Sequence, residues 1–304
     1  MPTYSLIIPV YNEVDSLTKL WEQILAAMKP LGNDWEAVFV NDGSTDGSVE
    51  KLAALAAHDK RVRVITFRRN RGKAAALQAA FHAVQGQYVV SLDADLQDDP
   101  AEIPRFIDTL NQGYDLVVGY KKDRRDPWHK TIPSRFFNAM IRRVSGLRLH
   151  DINCGLKAYR REVTDGLTIY GELYRFIPVL AANEGFRVTE LAINHRPRLH
   201  GVSKYGASRF LRGFLDLMTV TFLLKFTKRP LHLFGTFGLL LGAIGVVISA
   251  YLTVLHFAFH QNVGERPLLL FGVVFIIAGI QMVSTGLIAE LITHYWQGRE
   301  HENR

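Results

Sequence analysis

The sequence predicts an α/β protein: a mostly parallel sheet flanked by helices, followed by an interfacial helix and two transmembrane helices. Three observations carry this prediction. Short apolar runs alternate with segments of helical spacing along the first third of the chain, as in β–α repeats of a parallel sheet. The runs end in polar turns rich in Gly, Asp and Ser. Two late runs, residues 231–257 and 267–289, contain no Asp, Glu, Lys or Arg. Each exceeds the roughly 20 residues that cross a ~30 Å hydrocarbon core.

The elements follow in order. Residues 5–10 form an apolar run of strand length, and 15–28 carry Leu17, Leu20, Trp21, Ile24 and Leu25 at helical spacing. A second strand at 35–40 ends in the turn Asn41-Asp42-Gly43-Ser44-Thr45-Asp46-Gly47-Ser48, where Thr45 or Asp46 can cap a helix running to about residue 58. A third strand at 62–67 leads through the basic loop Arg68-Arg69-Asn70-Arg71-Gly72-Lys73 into an Ala-rich helix that ends near residue 84. The fourth strand, 88–92, runs straight into the acids of Asp93-Ala94-Asp95-Leu96-Gln97-Asp98-Asp99-Pro100. Pro100 suits the first position of a helix over 100–111. Strands at 115–119, 155–159 and 187–193 follow, with a helix over 174–183 between the last two. The basic segment 121–143 turns helical in its spacing after Pro133.

Residues 207–229 are amphipathic, with Phe210, Phe214, Leu217, Met218 and Phe222 beside Arg209, Arg212, Lys225, Lys228 and Arg229. Next to two spans this reads as a helix lying on a bilayer, with an ordinary core-facing helix as the alternative. The domain expectation is therefore 1–206 catalytic, 207–229 interfacial, 230–296 membrane-spanning and 297–304 tail. Lys225, Lys228 and Arg229 precede the first span, whereas the loop 258–266 holds one basic residue, so the large domain and the tail are expected on the cytoplasmic side. Gly238 and Gly242, and Gly272, Gly279 and Gly286, form small-residue faces for helix contact within or between chains, so a homo-oligomer is open. Glu290 is expected at the interface.

The net charge of +7 fits an anionic membrane face, nucleic acid or a phosphate-bearing substrate. A single cysteine, Cys154, excludes an internal disulfide and favours a reducing compartment. The N-terminus lacks the basic n-region of a secretory signal. His256 and His260 have a metal-capable spacing but no evident third ligand.

Asp93, Asp95 and Gln97 are spaced by two at the carboxyl end of a strand, where ligands bind in open α/β sheets. In an extended segment they project to one side, and two carboxylates with an amide oxygen suit Mg²⁺ or Mn²⁺. The alternative is an acidic turn that caps the next helix. An EF-hand is excluded, because its sixth and twelfth positions would be Asp98 and Pro104 instead of Gly and Glu.

Six segments in order closely resemble family 2 glycosyltransferases of the GT-A fold, the nucleotide-diphospho-sugar transferases. They are Ile7-Ile8-Pro9-Val10-Tyr11-Asn12-Glu13, Val40 with the turn 41–48, Asn70-Arg71-Gly72-Lys73-Ala74, the acidic stretch 93–100, Cys154-Gly155-Leu156-Lys157-Ala158-Tyr159-Arg160-Arg161-Glu162-Val163, and Gly201-Val202-Ser203-Lys204-Tyr205. The subgroup it resembles is the polyprenyl-phosphate glycosyltransferases, such as dolichyl-phosphate mannose synthases. The resemblance implies a nucleotide-sugar donor, a polyprenyl phosphate acceptor, a bilayer and a divalent metal. It places Pro9, Tyr11, Glu13, Asp42, Lys73, Asp93, Ala94 and Asp95 at the nucleotide sugar, with Lys204 and Arg209 on a loop that closes over the diphosphate. Asp42 can accept hydrogen bonds from a base edge, or serve only as a turn residue. Lys73 is near the nucleotide or a surface lysine.

In this reading Asp95 and Gln97 hold the metal and Asp93 supports the site. Arg124, Ser134 and Arg135 are candidates for the acceptor phosphate, with a general basic face against anionic lipid as the rival. The expected reaction is inverting transfer of a hexose, glucose from UDP or mannose from GDP, to undecaprenyl or dolichyl phosphate. A transferase for another lipid or glycan acceptor is the first alternative. A non-catalytic GT-A-like membrane binding protein is the second.

Overall fold

The computed structural model describes residues 1–121, 146–147, 149–193, 218–219, 221–222, 224–226, 229–264 and 266–302. The chain divides into two compact units, Met1–Val220 and Thr221–Arg304. In the first, strands and helices alternate as β1 (Tyr4–Val10), α1 (Val14–Met28), β2 (Trp35–Asn41), α2 (Ser48–His58), β3 (Val62–Thr66), α3 (Lys73–Ala83) and β4 (Tyr88–Ser91). Then come α4 (Ile103–Asn111), β5 (Leu116–Lys121), β6 (Lys157–Arg160), α5 (Arg161–Gly166), α6 (Ile177–Asn183) and β7 (Val188–Ile193).

The strands make one sheet in the order β3-β2-β1-β4-β6-β5-β7. All neighbours are parallel except β6, which runs antiparallel between β4 and β5. Every residue of β2 is buried, as its continuous apolar run requires. Helix α1 buries Leu17, Leu20, Trp21 and Ile24, and the Trp21 ring meets Trp35 at 5.7 Å and Phe39 at 6.1 Å.

The register shapes the functional edge. Val10, Asn41 and Thr66 stand level at the carboxyl ends of β1, β2 and β3. Ser91, the last residue of β4, pairs with Ile7, three residues short of Val10. The early stop leaves a notch in the sheet edge, and the acidic stretch fills it. The chain leaves β1 outward to β2 and β3, then returns to β4 on the other side of β1. This is a topological switch point.

Three expectations are corrected. The helices expected over 100–111 and 174–183 are each divided into a 3₁₀ turn and an α-helix, Pro100–Glu102 with α4, and Leu173–Phe176 with α6. Pro104 and Pro178 stand in the first turns of α4 and α6, where a missing N–H is tolerated and an interior position is not. Helix α5 was not expected at all. It is six residues long, too short for a periodic signal.

In the second unit, α7 (Pro230–Phe259) and α8 (Pro267–Glu302) are two apolar helices long enough to cross a membrane, with mean hydropathy of 2.2 and 2.3 over their most apolar windows. Only 17% and 11% of those windows is buried, unlike the core helices of a soluble protein. The glycine faces pack within this hairpin. A Cβ on Gly279 would lie 2.6 Å from the Gly238 carbonyl, and one on Gly245 would lie 2.7 Å from that of Gly272. Glu290 accepts a hydrogen bond from the Leu231 N–H at 3.1 Å, satisfying one open donor at the start of α7. His256 contacts the Gln261 carbonyl where α7 ends. Of the amphipathic region, Met218, Thr219, Thr221, Phe222, Leu224 and Lys225 are helical, and its remainder before Met218 lies outside the described residues.

Candidate active site

Four loops at the carboxyl ends of the strands form one connected surface. The Asn12 N–H donates to Ser44 Oγ at 3.0 Å, and Asn12 Oδ1 accepts from the Thr45 N–H at 2.8 Å. Asn12 is left-handed (φ 57), a conformation that Asn adopts more readily than most residues. These bonds tie the loop after β1 to the loop after β2.

The second loop is tied to the third by Asp42. Its carboxylate accepts from the N–H groups of Arg71 at 2.6 Å and Gly72 at 2.9 Å. Gly43, at φ +69, lets the chain press on the Arg69–Asn70 peptide, where a Cβ would lie 2.5 Å from the Arg69 carbonyl carbon. Asp42 is buried (4% exposed), and its bonds to Arg71 and Gly72 hold the loop together. Pro9 and Glu13 are half-buried beside it, and Tyr11 is exposed.

The third loop is tied to the acidic stretch by Lys73, the first residue of α3. Its Nζ donates to Asp93 Oδ1 at 2.5 Å, and it also lies 5.4 Å from the Tyr174 ring centre. Burial by itself disfavours both charges, but their mutual attraction outweighs it. The Lys73 ammonium is therefore raised, and the Asp93 carboxyl is held below its ordinary value.

The acidic stretch is not an extended strand. Residues 94–96 turn, Leu96 is left-handed (φ 61), and the Gln97 N–H bends back to Asp95 Oδ1 at 3.2 Å. The expected projection from an extended segment is therefore not found, but burial alternates: Asp93, Asp95 and Gln97 are half-buried, while Ala94, Leu96 and Asp98 are buried. Asp99 caps the following 3₁₀ turn through the Ala101 N–H. Among the described residues, no three His, Cys, Asp or Glu side chains converge on a common point. Asp95 and Gln97 are half-buried and carry hard oxygens, the donor type a small divalent cation takes.

Sequence reasoning missed the floor of the site. Because β6 is antiparallel, the residues before it rise beside the carboxyl end of β4. Ser91 Oγ donates to the Gly155 carbonyl at 3.0 Å, and the Leu156 N–H donates to Asp98 Oδ2 at 3.0 Å. Lys157 is buried (5% exposed) and donates to the Cys154 carbonyl. Burial lowers its pKa, and the nearby Lys73 charge lowers it further. Asp98 is pushed up to about 6 by burial and then by the Asp93 charge. A lysine inside the apolar strand run Leu156-Lys157-Ala158-Tyr159 was the available signal. Arg124, Ser134, Arg135, Lys204 and Arg209 lie outside the described residues.

Comparison with known proteins agrees with this geometry. The model of Glycosyl transferase family 2 matches residues 5–168. The dodecaprenyl-phosphate galacturonate synthase of Rhizobium johnstonii is 39% identical over 96% of this chain and 88% of its own length. The undecaprenyl-phosphate 4-deoxy-4-formamido-L-arabinose transferase of Pseudomonas fluorescens is 37% identical over 95% of this chain and 84% of its own. Among solved structures, the glucosyl-3-phosphoglycerate synthase of Mycobacterium tuberculosis, in complex with Mn²⁺ and UDP-glucose, superposes with a TM-score of 0.52. At 19% identity over 73% of this chain and 79% of that one, it shows a shared fold. With the family model spanning the strands and acidic turn of the site, and relatives of this identity covering nearly the whole chain, the protein belongs to glycosyl transferase family 2, among relatives that are polyprenyl-phosphate sugar transferases.

Proposed function

We propose that the chain transfers one glycosyl group from a nucleotide-diphosphate sugar to a polyprenyl phosphate at the cytoplasmic face of a membrane, inverting the anomeric carbon in one displacement. The observation that carries this is the half-buried row Asp93, Asp95 and Gln97 in the notch beside β1, tied by Lys73 to the interlocked loops. The two relatives support the acceptor class. They also widen the donor beyond UDP-glucose and GDP-mannose, because their names carry galacturonate and 4-deoxy-4-formamido-L-arabinose. Galacturonate, carried by the more identical of these two relatives, is the proposed sugar.

Pro9, Tyr11, Glu13 and Asp42 shape the nucleoside end of this site. Asp95 and Gln97 would hold Mg²⁺ or Mn²⁺. A divalent cation there offsets negative charge on the departing diphosphate. Lys73 keeps Asp93 ionised and fixed in place. The acceptor supplies its own nucleophile: a phosphate monoester has a second pKa near ~6 and is mostly dianionic at neutral pH. Its oxygen attacks the anomeric carbon as the bond to the nucleoside diphosphate breaks, so no general base is needed. Arg124, Ser134 and Arg135 are the proposed grip on the acceptor, and Lys204 and Arg209 the proposed cover of the diphosphate.

The test is a transfer assay in membranes containing polyprenyl phosphate. Nucleotide-activated galacturonate, 4-deoxy-4-formamido-L-arabinose, glucose and mannose are supplied separately, with and without EDTA. EDTA-sensitive labelling of the lipid by galacturonate is expected. Asp95→Ala should lower turnover by about 100-fold or more with the fold retained. Binding of a donor without transfer under any condition overturns the reading, and full activity of Asp95→Ala removes Asp95 from the site.

A further inference from the structure

The acidic turn closes on a single backbone position. Asp93 enters from the end of β4 and Asp98 from the far side of the turn, and both carboxylates come to rest against Gly155. A Cβ built there would lie 2.6 Å from Asp93 Oδ2 and 2.9 Å from Asp98 Oδ2. Gly155 does not have a left-handed backbone, so conformation does not demand glycine here; space does. The same peptide region is fixed on three sides: Ser91 Oγ donates to the Gly155 carbonyl, the Leu156 N–H donates to Asp98 Oδ2, and Lys157 Nζ donates to the Cys154 carbonyl. Asp95 and Gln97 lie on the crest between these two anchored ends.

We propose that Gly155 and Asp98 are positioning residues for transfer: Gly155 leaves the room in which the Asp93 and Asp98 carboxylates seat, and Asp98, held by the Leu156 N–H, anchors the turn that presents Asp95 and Gln97. In this role Asp98 acts through the bond it accepts from the Leu156 N–H and not as a ligand. The inference rests on the proposed role of Asp95 and Gln97, and its consequences differ from those of losing a ligand. Any residue at 98 that keeps an acceptor oxygen of the same reach preserves the site. Any side chain at 155 displaces both acids.

The experiment compares Gly155→Ala, Asp98→Asn and Asp98→Ala in the full chain in detergent. Transfer kinetics and melting temperature are measured. Mn²⁺ binding is followed by loss of the free-ion electron paramagnetic resonance signal, with UDP and GDP in parallel. Gly155→Ala and Asp98→Ala should each lower kcat by about 100-fold, as expected for ångström-scale misplacement of reacting groups. Each should weaken Mn²⁺ binding by about 10-fold, with the polyprenyl phosphate KM unchanged. Asp98→Asn should stay within about threefold of the unaltered chain in both readouts, because its amide oxygen still accepts from Leu156. Wild-type behaviour of Gly155→Ala overturns the proposal, and so does an Asn variant as impaired as the Ala variant. If Gly155→Ala does not fold, the contrast between the two Asp98 variants decides. An unaltered chain that binds Mn²⁺ but transfers nothing defeats the functional reading alone, and Mn²⁺ affinity then decides the positioning role. Absence of both overturns the two together.

Discussion

Asp46 starts two helices with one carboxylate. Its Oδ1 accepts from the N–H and the hydroxyl of Ser48 at the head of α2, and its Oδ2 accepts from the Val14 N–H at the head of α1. Burial alone would raise this carboxyl, but these donors outweigh it and hold its pKa below 3.8. The folded group is thus the stronger acid, so its stabilisation is present above 3.8 and is lost as pH falls through the lowered value. Asp46→Ala should cost about 2 kcal/mol, from cap-like bonds to two helix starts at roughly 1 kcal/mol each, read as a lower melting temperature by circular dichroism. Asp46→Asn should show a smaller loss at neutral pH and a flatter acid limb. An acid limb identical to the unaltered chain would show that Asp46 is not the responsible group. The N-cap of α2 is Gly47, not the expected Thr45 or Asp46, but a polar start to that helix was legible from the turn Thr45-Asp46-Gly47-Ser48. The bond to the head of α1 was not, because Val14 is 32 residues away and no local spacing reports that contact. The same limit applies to Lys73 and Asp93. Each was singled out by its motif, but only the fold brings them to 2.5 Å.

Elements were legible where hydrophobic burial alone determines them. The apolar runs of β1, β2 and β4 and the spacing of α1 need no tertiary information, since each satisfies its own backbone or that of its nearest parallel partner. Strand β6 is different. Its four residues pair with β4 and β5 in opposite sense to the rest of the sheet, and nothing within them specifies that direction. The floor of the site depends on this reversal, which is why Gly155, Leu156 and Lys157 gained a role only in three dimensions. The apolar α7–α8 hairpin shows the opposite case. Gly272, Gly279 and Gly286 recur every seventh residue, and each meets α7. Helices that cross lipid have no hydrophobic drive toward each other, so a pair of spans would depend on close packing of this kind. A side chain on Gly279 would strike the Gly238 carbonyl at 2.6 Å and the Gly242 nitrogen at 2.7 Å. Gly279→Leu should therefore destabilise the hairpin by about 1–3 kcal/mol. Thermal unfolding in detergent measures it, with Gly264→Leu in the connecting loop as the tolerated control. Equal melting of the two variants would mean that α7 and α8 do not rely on this contact.

At the scale of the whole molecule, charge and hydropathy make one joint demand. The chain carries +7 overall, yet residues 231–257 and 267–289 carry no formal charge. The positive charge therefore belongs to the rest, and Lys225, Lys228 and Arg229 concentrate it just before α7. Helices α7 and α8 are joined by a short connection that holds one basic residue, Arg266. Two spans return the chain to the side from which it started, so a cytoplasmic catalytic domain requires a non-cytoplasmic turn and a cytoplasmic end of α8. The proposed transfer, from a soluble nucleotide sugar to a lipid acceptor, needs that arrangement. Cysteine accessibility tests it without interference from Cys154, which is buried. Asn262→Cys places a thiol in the connection, and Lys19→Cys places one on the exposed face of α1. A membrane-impermeant maleimide should label Asn262→Cys in intact cells and Lys19→Cys only after permeabilisation. The reverse pattern would put the acidic turn on the side away from the cytosolic donor. In that case charge bias before α7 would not be what orients the chain, and the proposed transfer would lack its substrate.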